Sequence, residues 1–581
     1  MRRLAALTLL ALPVAVLAGA GATPVAGAAP TAPTGLRDVM FVGNNWAGTA
    51  SIVDAHTFKV LKSGVNLIPD KDQELADIHA DPEKLAYYLA VQQGPGEGHD
   101  QYVDDMFTTT DGKYLAVSRP SFADVVWIDV AKAVAGDPDS IVREQPMDGH
   151  RSDHMGLSPD GRRLLVSDST ARQVIEFSMV DETVNGTAIK MGDRLRTFES
   201  GETPHENNYS ADGTRIYHAS IGKVYTPGDE TGAGPVKIGP AHDALKGDRW
   251  FEIVNNSDFS IAKRWDMGKE LAESGHPDMS SAVRPMAVAP GDRFIYYQVS
   301  YFHGLVEFDT QAPDVDGKVD YSTGSIPEPR TGAVKRVVEL PNRVPNMPRE
   351  QYVNDSAHHG LSINDAGTTL CAAGTMDDYA ALIDRRTMKY TLFDDQTTGH
   401  YYGKPYWTTA GLDNTCWISL SDADSVAVLD FRTKREVAYL PVGDHPQRVR
   451  HGFVSEAVLA TPAAAAGTVA GPSAGSAAGT SSTAGGAGGL SALRGLLGGS
   501  EASAAAPTSG AASPRSVGEA SAALDRMGSR RTAAGTVPAT PVRTVAAKGL
   551  PIGSVPWTLV VAGLALAVGA LGVRSLSGRA A

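Results

Sequence analysis

The chain has 581 residues, a formal net charge of −14, 42% hydrophobic residues and only two cysteines. The acidic balance argues against nucleic acid as a partner, since a phosphate backbone is bound by clustered Lys and Arg. Two cysteines are too few for a thiolate zinc site or a disulfide scaffold.

At the N-terminus, Met1-Arg2-Arg3, the apolar run Leu4 to Leu17 and the small residues Ala18 to Ala22 have the positive, hydrophobic and cleavable parts of a secretory signal peptide, taken as residues 1–29. The apolar run is too short to span a bilayer. From Val39, "VMFVGNNWAGTASIVDAHTFKVLKSG" predicts three strands joined by turns.

Related units follow along the chain. They begin "DDMFTTTDGKYLAV" at Asp104, "DHMGLSPDGRRLLVSDS" at Asp153, "HENNYSADGTRIYHAS" at His205, "RPMAVAPGDRFIYYQVS" at Arg284, "AHHGLSINDAGTTLCAAG" at Ala357 and "YWTTAGLDNTCWISL" at Tyr406. Each reads as strand, turn rich in Asp, Gly or Asn, strand, turn and strand, and segments such as "KRVVELP" and "REVAYLPVG" supply a fourth strand. β-branched and aromatic residues with period-two alternation favour strands, and no helical stripe of useful length is expected. Four strands per unit, repeated roughly every fifty residues, describe the blades of a propeller.

The ends give the count. The last unit, "DHPQRVRHGFV" from Asp444, supplies only an innermost strand, whereas the first supplies only the outer three. Joined in one sheet they make a seventh blade and remove two exposed edges. The expectation is an all-β, seven-bladed β-propeller over residues 38–456, closed by the N-terminal strands joining the last blade. Cys371 and Cys416 sit at comparable places in successive repeats; a disulfide is open, and two buried free thiols are the preferred reading.

Beyond the propeller, residues 461–548 are nearly all Ala, Gly, Ser, Thr and Pro, a composition that buries too little apolar area to offset the entropy of ordering and predicts a flexible stalk. Within residues 550–581, the uncharged stretch Val555 to Val573 is long enough to cross a bilayer and is followed by Arg574 and Arg579, which predicts a membrane anchor with a basic tail. The protein is therefore expected to be exported to the extracellular face of the membrane or the cell wall.

"VAYLPVGDHPQ", "SPDGRRLLVSDS" and "ASIVDAHTFKVL" resemble the repeats of YVTN-type, lactonase-like seven-bladed propellers, in which V-G-x-x-P leads to S-P-D-G-x-x-L-Y-V and then to V-x-V-I-D-x-x-T. The likeness covers about Asp38 to Phe453. It implies an architecture rather than an activity, because propellers carry enzymes, binders and scaffolds alike. "LPIGS", Leu550 to Ser554, resembles the sortase sorting signal LPxTG, with Gly553 and Ser554 departing from it.

In such a ring, residues beginning the innermost strands converge on one mouth of the channel. Counting four and five places back from the Ser, or its equivalent, of each S-x-D-G turn gives Asp104/Asp105, Asp153/His154, His205/Glu206, Arg284/Pro285, Ala357/His358, Tyr406/Trp407 and Gln447/Arg448, with His359 following directly. Imidazoles and carboxylates from separate blades suit one divalent transition metal, with His154, His205, His358 and Asp105 as candidate ligands and Glu206 or Asp153 as candidate general base. Arg284, Arg448 and Trp407 are candidates for holding a small anionic ligand.

Other residues are read more plainly. His99 with Asp100 is placed over the channel approach. "DVDGKVD", Asp314 to Asp320, reads as a solvated loop in preference to a calcium site, and His303, His400 and His451 as ordinary strand or loop positions. Two function classes follow: a cell-surface binding or interaction module with a polar hub and a cell-surface protein or small anion as partner, or a metal-dependent extracytoplasmic hydrolase, lyase or oxidoreductase.

Overall fold

The computed structural model describes residues 33–224, 246–276, 279, 282–313 and 332–462. The expected signal peptide, the stalk beyond its first two residues, the membrane anchor and the Asp314–Asp320 loop lie outside the described residues. Among the described residues no helix is long and apolar enough to cross a membrane.

Seven four-stranded antiparallel sheets form the blades. Six run from innermost to outermost strand in chain order, beginning at Met106–Thr108, Ser152–Leu157, Pro204–Tyr209, Val283–Val288, Leu361–Ile363 and Pro405–Gly411. The seventh combines the outer strands Leu36–Asn44, Thr49–Asp54 and Val60–Asn66 with the innermost strand Pro446–Ser455. That is the closure the two incomplete units require. Its register runs from Leu36 opposite Ser455 to Asn44 opposite Pro446, and the main-chain N–H of Glu456 and the carbonyl of Gly35 extend it.

A blade strand is buried on both faces, and its alternation divides side chains between two neighbours. Val39 and Phe41 pack with Leu115, Val117 and Val126 of the first blade. Met40 and Val42, one place along, pack with Trp417, Val426 and Val428 of the sixth. The run "VMFV" thus lacks polar alternation because both sides are core. The recurrent turn is equally local in origin: Ser158 Oγ accepts from the N–H groups of Arg162 and Arg163, Asp160 takes the Ser158 hydroxyl, and Gly161 sits at φ +70°, where a side chain is strained.

Two expectations are corrected. Between the seventh and first blades lie two helices, α1 (Lys71–Ala80) and α2 (Pro82–Gln93). Asp81 caps α2 by accepting from the N–H groups of Glu83 and Lys84, and Pro82 takes the first helical position, where its missing N–H costs nothing. This Asp-Pro start was visible in the sequence, but the helices bury only a partial face, and a strand-dominated reading passes over so thin a stripe. Cys371 and Cys416, on the second strands of the fifth and sixth blades, form a disulfide rather than two free thiols. Their Cα atoms are 6.5 Å apart, within bridging range, because equivalent strands of adjacent blades face each other.

Candidate metal centre at the hub

The innermost strands do more than start near the axis. In four blades the ladder slips at the hub residue itself: between Ser152 and Met155, Pro204 and Glu206, Val283 and Met286, and Pro405 and Thr408. A bulge leaves residues unpaired and turns their side chains, here bringing His154, His205, Arg284 and Trp407 to one hub. Such slips leave no mark in a sequence.

Three imidazoles meet there. Ligand atoms of His154, His205 and His359 all lie within 4.8 Å of one another. The rings of His154 and His205 are 3.8 Å apart by centroid, and His359 is 5.8 Å from each. All three side chains are at most 4% exposed. Burial, reinforced by nearby Arg448 for His154 and His359 and by Arg284 for His205, holds each well below the usual histidine range, so each is neutral at pH 7.

Two of the three Nδ1 atoms are already committed. His359 Nδ1 donates to the Tyr406 carbonyl at 3.3 Å while its ring stacks on Tyr406. His154 Nδ1 is 2.6 Å from Glu206 Oε2, and Glu206 Oε1 accepts from Asn208. With Nδ1 protonated, the lone pair of each ring is left on Nε2. A carboxylate or carbonyl behind an imidazole is the arrangement that orients metal-binding histidines and raises their basicity. His205 Nδ1 is buried with no hydrogen-bond partner.

His358, the expected third imidazole, is elsewhere. The true counterpart of Ser158 in the fifth blade is Asn364: its N–H bonds the Thr369 carbonyl as that of Ser158 bonds Arg163, and its side chain accepts from Thr368 and Thr369. Counting back from Ser362 therefore slips by two residues, and the axis-facing position is His359. Gly360 follows it without a side chain, since a Cβ there would lie 2.5 Å from the Thr408 nitrogen of the sixth blade. His358 turns outward and forms a second cluster with His303 and Asp377.

Asp105 is not among the converging ligands of any group found in the described residues. Arg450 holds it with two bonds of 2.8 and 2.7 Å, and it accepts from the N–H groups of Met106 and Met155. Burial pushes this carboxyl up, but Arg450 and Arg448 outweigh it and the net shift is downward. Asp153 accepts from Arg151 at 2.5 Å, from Ser169 at 2.6 Å and from its neighbour's N–H, with Oδ1 still 3.7 Å from His154 Nε2. Glu206 orients His154, and burial pushes it up to about 7.

Arg284 donates to Ser300 and to the Asn354 carbonyl. Arg448 lies over Trp407, 4.0 Å from the ring centroid, and reaches Asp104 at 3.2 Å. Arg450 and Arg151 were not foreseen. Arg450 shares a strand face with Arg448, two residues away, which period two would have shown.

The hub is roofed. His99 stacks on Trp46 at 3.8 Å, His445 covers the other face at 3.7 Å, and Glu97 pairs with Lys404 at 2.6 Å. The segment after α2 thus reaches from the first blade to the sixth.

No protein-family model matches this chain. No curated protein matches it either. Among solved structures, it is similar to Kuenenia stuttgartiensis hydrazine synthase, at 12% identity and a TM-score of 0.38, over 59% of this chain and 88% of that one. It is also similar to virginiamycin B lyase from Staphylococcus aureus, at 10% identity and a TM-score of 0.36, over 58% and 83%. At these scores neither likeness bears on chemistry. The chain's own strands make it a seven-bladed, all-β propeller with a buried histidine hub.

Proposed function

We propose that the hub holds a divalent transition metal through His154, His205 and His359, and that the protein acts on a small molecule there, as a metal-dependent extracytoplasmic protein of YVTN-like type. The observation that carries the reading is the pair of outer bonds, His154 to Glu206 and His359 to Tyr406, which leave Nε2 lone pairs on neutral rings whose ligand atoms lie within 4.8 Å. A metal so held would supply a Lewis acid with positions open to a ligand. The chain's own contribution is to fix the tautomers, through Glu206 and Tyr406, and to keep bulk water away through burial.

Burial also supports a small molecule over a docked protein, because side chains at most 4% exposed offer no flat surface. The signal-peptide, stalk and anchor sequences favour an exported, membrane-tethered location. The Cys371–Cys416 disulfide supports it, since such bonds persist in oxidising compartments. Elemental analysis of full-length protein purified without a histidine tag tests the metal: one equivalent is expected in the wild type and none in a His154→Ala, His359→Ala variant that still folds. A metal-free wild type, or a variant that keeps its metal, overturns the reading.

A further inference from the structure

We propose that Arg448, beside the imidazoles, is the anchor of a subsite for the carboxylate of a small organic acid. The proposal deepens the reading of the hub and names its ligand class, but the anchoring contact is Arg448's own and does not require the metal.

Four guanidiniums enter the hub region, and they differ in how fully they are answered. Arg450 is matched with Asp105 by two bonds, and Arg151 donates to Asp153 and Ser169. Arg448 is not so matched. Its side chain is fully buried, its Nη2 alone reaches Asp104, at 3.2 and 3.4 Å to the two oxygens, and Nε and Nη1 have no hydrogen-bond partner. The closest approach of Nε to a carboxylate is 4.0 Å, to an Asp105 oxygen that already accepts from Arg450. Buried donors on a permanent cation are costly to leave unmade, so an acceptor there is favoured.

Asp104 is the only acid Arg448 bonds among the described residues, and it engages one of the three guanidinium nitrogens. A carboxylate, with two oxygens and a single negative charge, suits the two that remain. A phosphate dianion would crowd Asp104 and Asp153, whose ligand atoms lie within 4.8 Å of each other and of His154. The face of Trp407 under the guanidinium holds Arg448 in place, and the full burial of Arg448 limits the ligand to a small acid. His154 is 5.5 Å from Trp407 by ring centroid, so a carboxylate on Arg448 lies next to the imidazole group.

Calorimetric titration of the full-length protein, chelated and zinc-reloaded, with acetate, glycolate and inorganic phosphate tests this. Acetate or glycolate is expected to bind in both forms, and a D104N/R448Q variant, which removes the ion pair as a unit, to lose at least about tenfold in affinity with an unchanged melting temperature. R448K, which keeps the charge beside Asp104, is expected to fall between. Binding of phosphate alone, binding of nothing, or carboxylate binding indifferent to Arg448 overturns the proposal, the last two meaning that only water answers these donors. Carboxylate binding without stoichiometric metal sinks the metal reading alone. Metal without carboxylate binding sinks the subsite alone.

Discussion

His358 and His359 are neighbours in the chain, yet they belong to two clusters that treat histidine in opposite ways. In the outer cluster, His303 Nδ1 and His358 Nε2 both donate to the same Asp377 oxygen, at 2.6 and 2.8 Å, and His303 Nε2 accepts from Tyr352. Its protons point inward and are consumed by one carboxylate. At the hub the protons of His154 and His359 go to Glu206 and Tyr406, and their lone pairs are left on Nε2. Both groups contain close, buried metal-ligating residue types. What separates a brace from a candidate metal centre is which nitrogen carries the hydrogen, and in an extended backbone one residue's step is enough to choose between them.

The largest effect expected from this contrast is on metal content. His359→Ala should weaken metal binding by at least about 100-fold with the fold retained, because a ligand is lost from a three-imidazole set, whereas His358→Ala should leave metal affinity unchanged and lower the melting temperature. The reverse pattern, measured by competition with a zinc chelator, would erase the distinction between the two clusters. Next comes Glu206→Gln, which keeps an acceptor behind His154 but removes its charge; metal affinity should fall about 10- to 100-fold.

A smaller effect separates the clusters by acid sensitivity. Burial pushes Asp377 up, but its bonds from His303 and His358 prevail and bring it down to about 2. A carboxylate held lower in the folded state than in the unfolded chain stabilises fully above its ordinary value near 3.8 and loses that stabilisation as pH falls toward 2. Asp377→Asn should therefore cost about 2 kcal/mol at pH 6 and flatten the loss of stability between pH 4 and pH 2, in urea titrations at each pH. The smallest expected change is Tyr379→Phe, whose hydroxyl donates to the Pro341 carbonyl and sits 3.3 Å from His358 Nε2. It should cost about 1 kcal/mol and leave metal content untouched.

The blades and their closure were legible because the determinants are local and repeated: period-two strands, the Ser-x-Asp-Gly turn, and two incomplete units that complete each other. Six hub residues, His154, His205, Glu206, Arg284, Trp407 and Arg448, were legible by their distance from that turn. That distance misleads where the turn itself varies, with Asn364 doing the work of Ser158 and Ser362 standing as a decoy. It also could not show that Asp105 is spoken for, because Arg450 comes from 345 residues away. His99 stacks on Trp46, and Trp46 on His445, from loops with no shared motif.

The seam between Leu36–Asn44 and Pro446–Ser455 has a mechanical consequence. Leu36 and Ser455 are register partners, so the described chain leaves the ring in both directions from the same end of that strand pair. An opposed pull on the two ends would load the rungs one after another, starting at Leu36 and the Arg37–Glu456 clasp, in the manner of a zip rather than a lap joint. Each rung is a hydrogen-bonded step worth about 1 kcal/mol, so tension applied to both termini would part the circle at this blade while the other six were still folded.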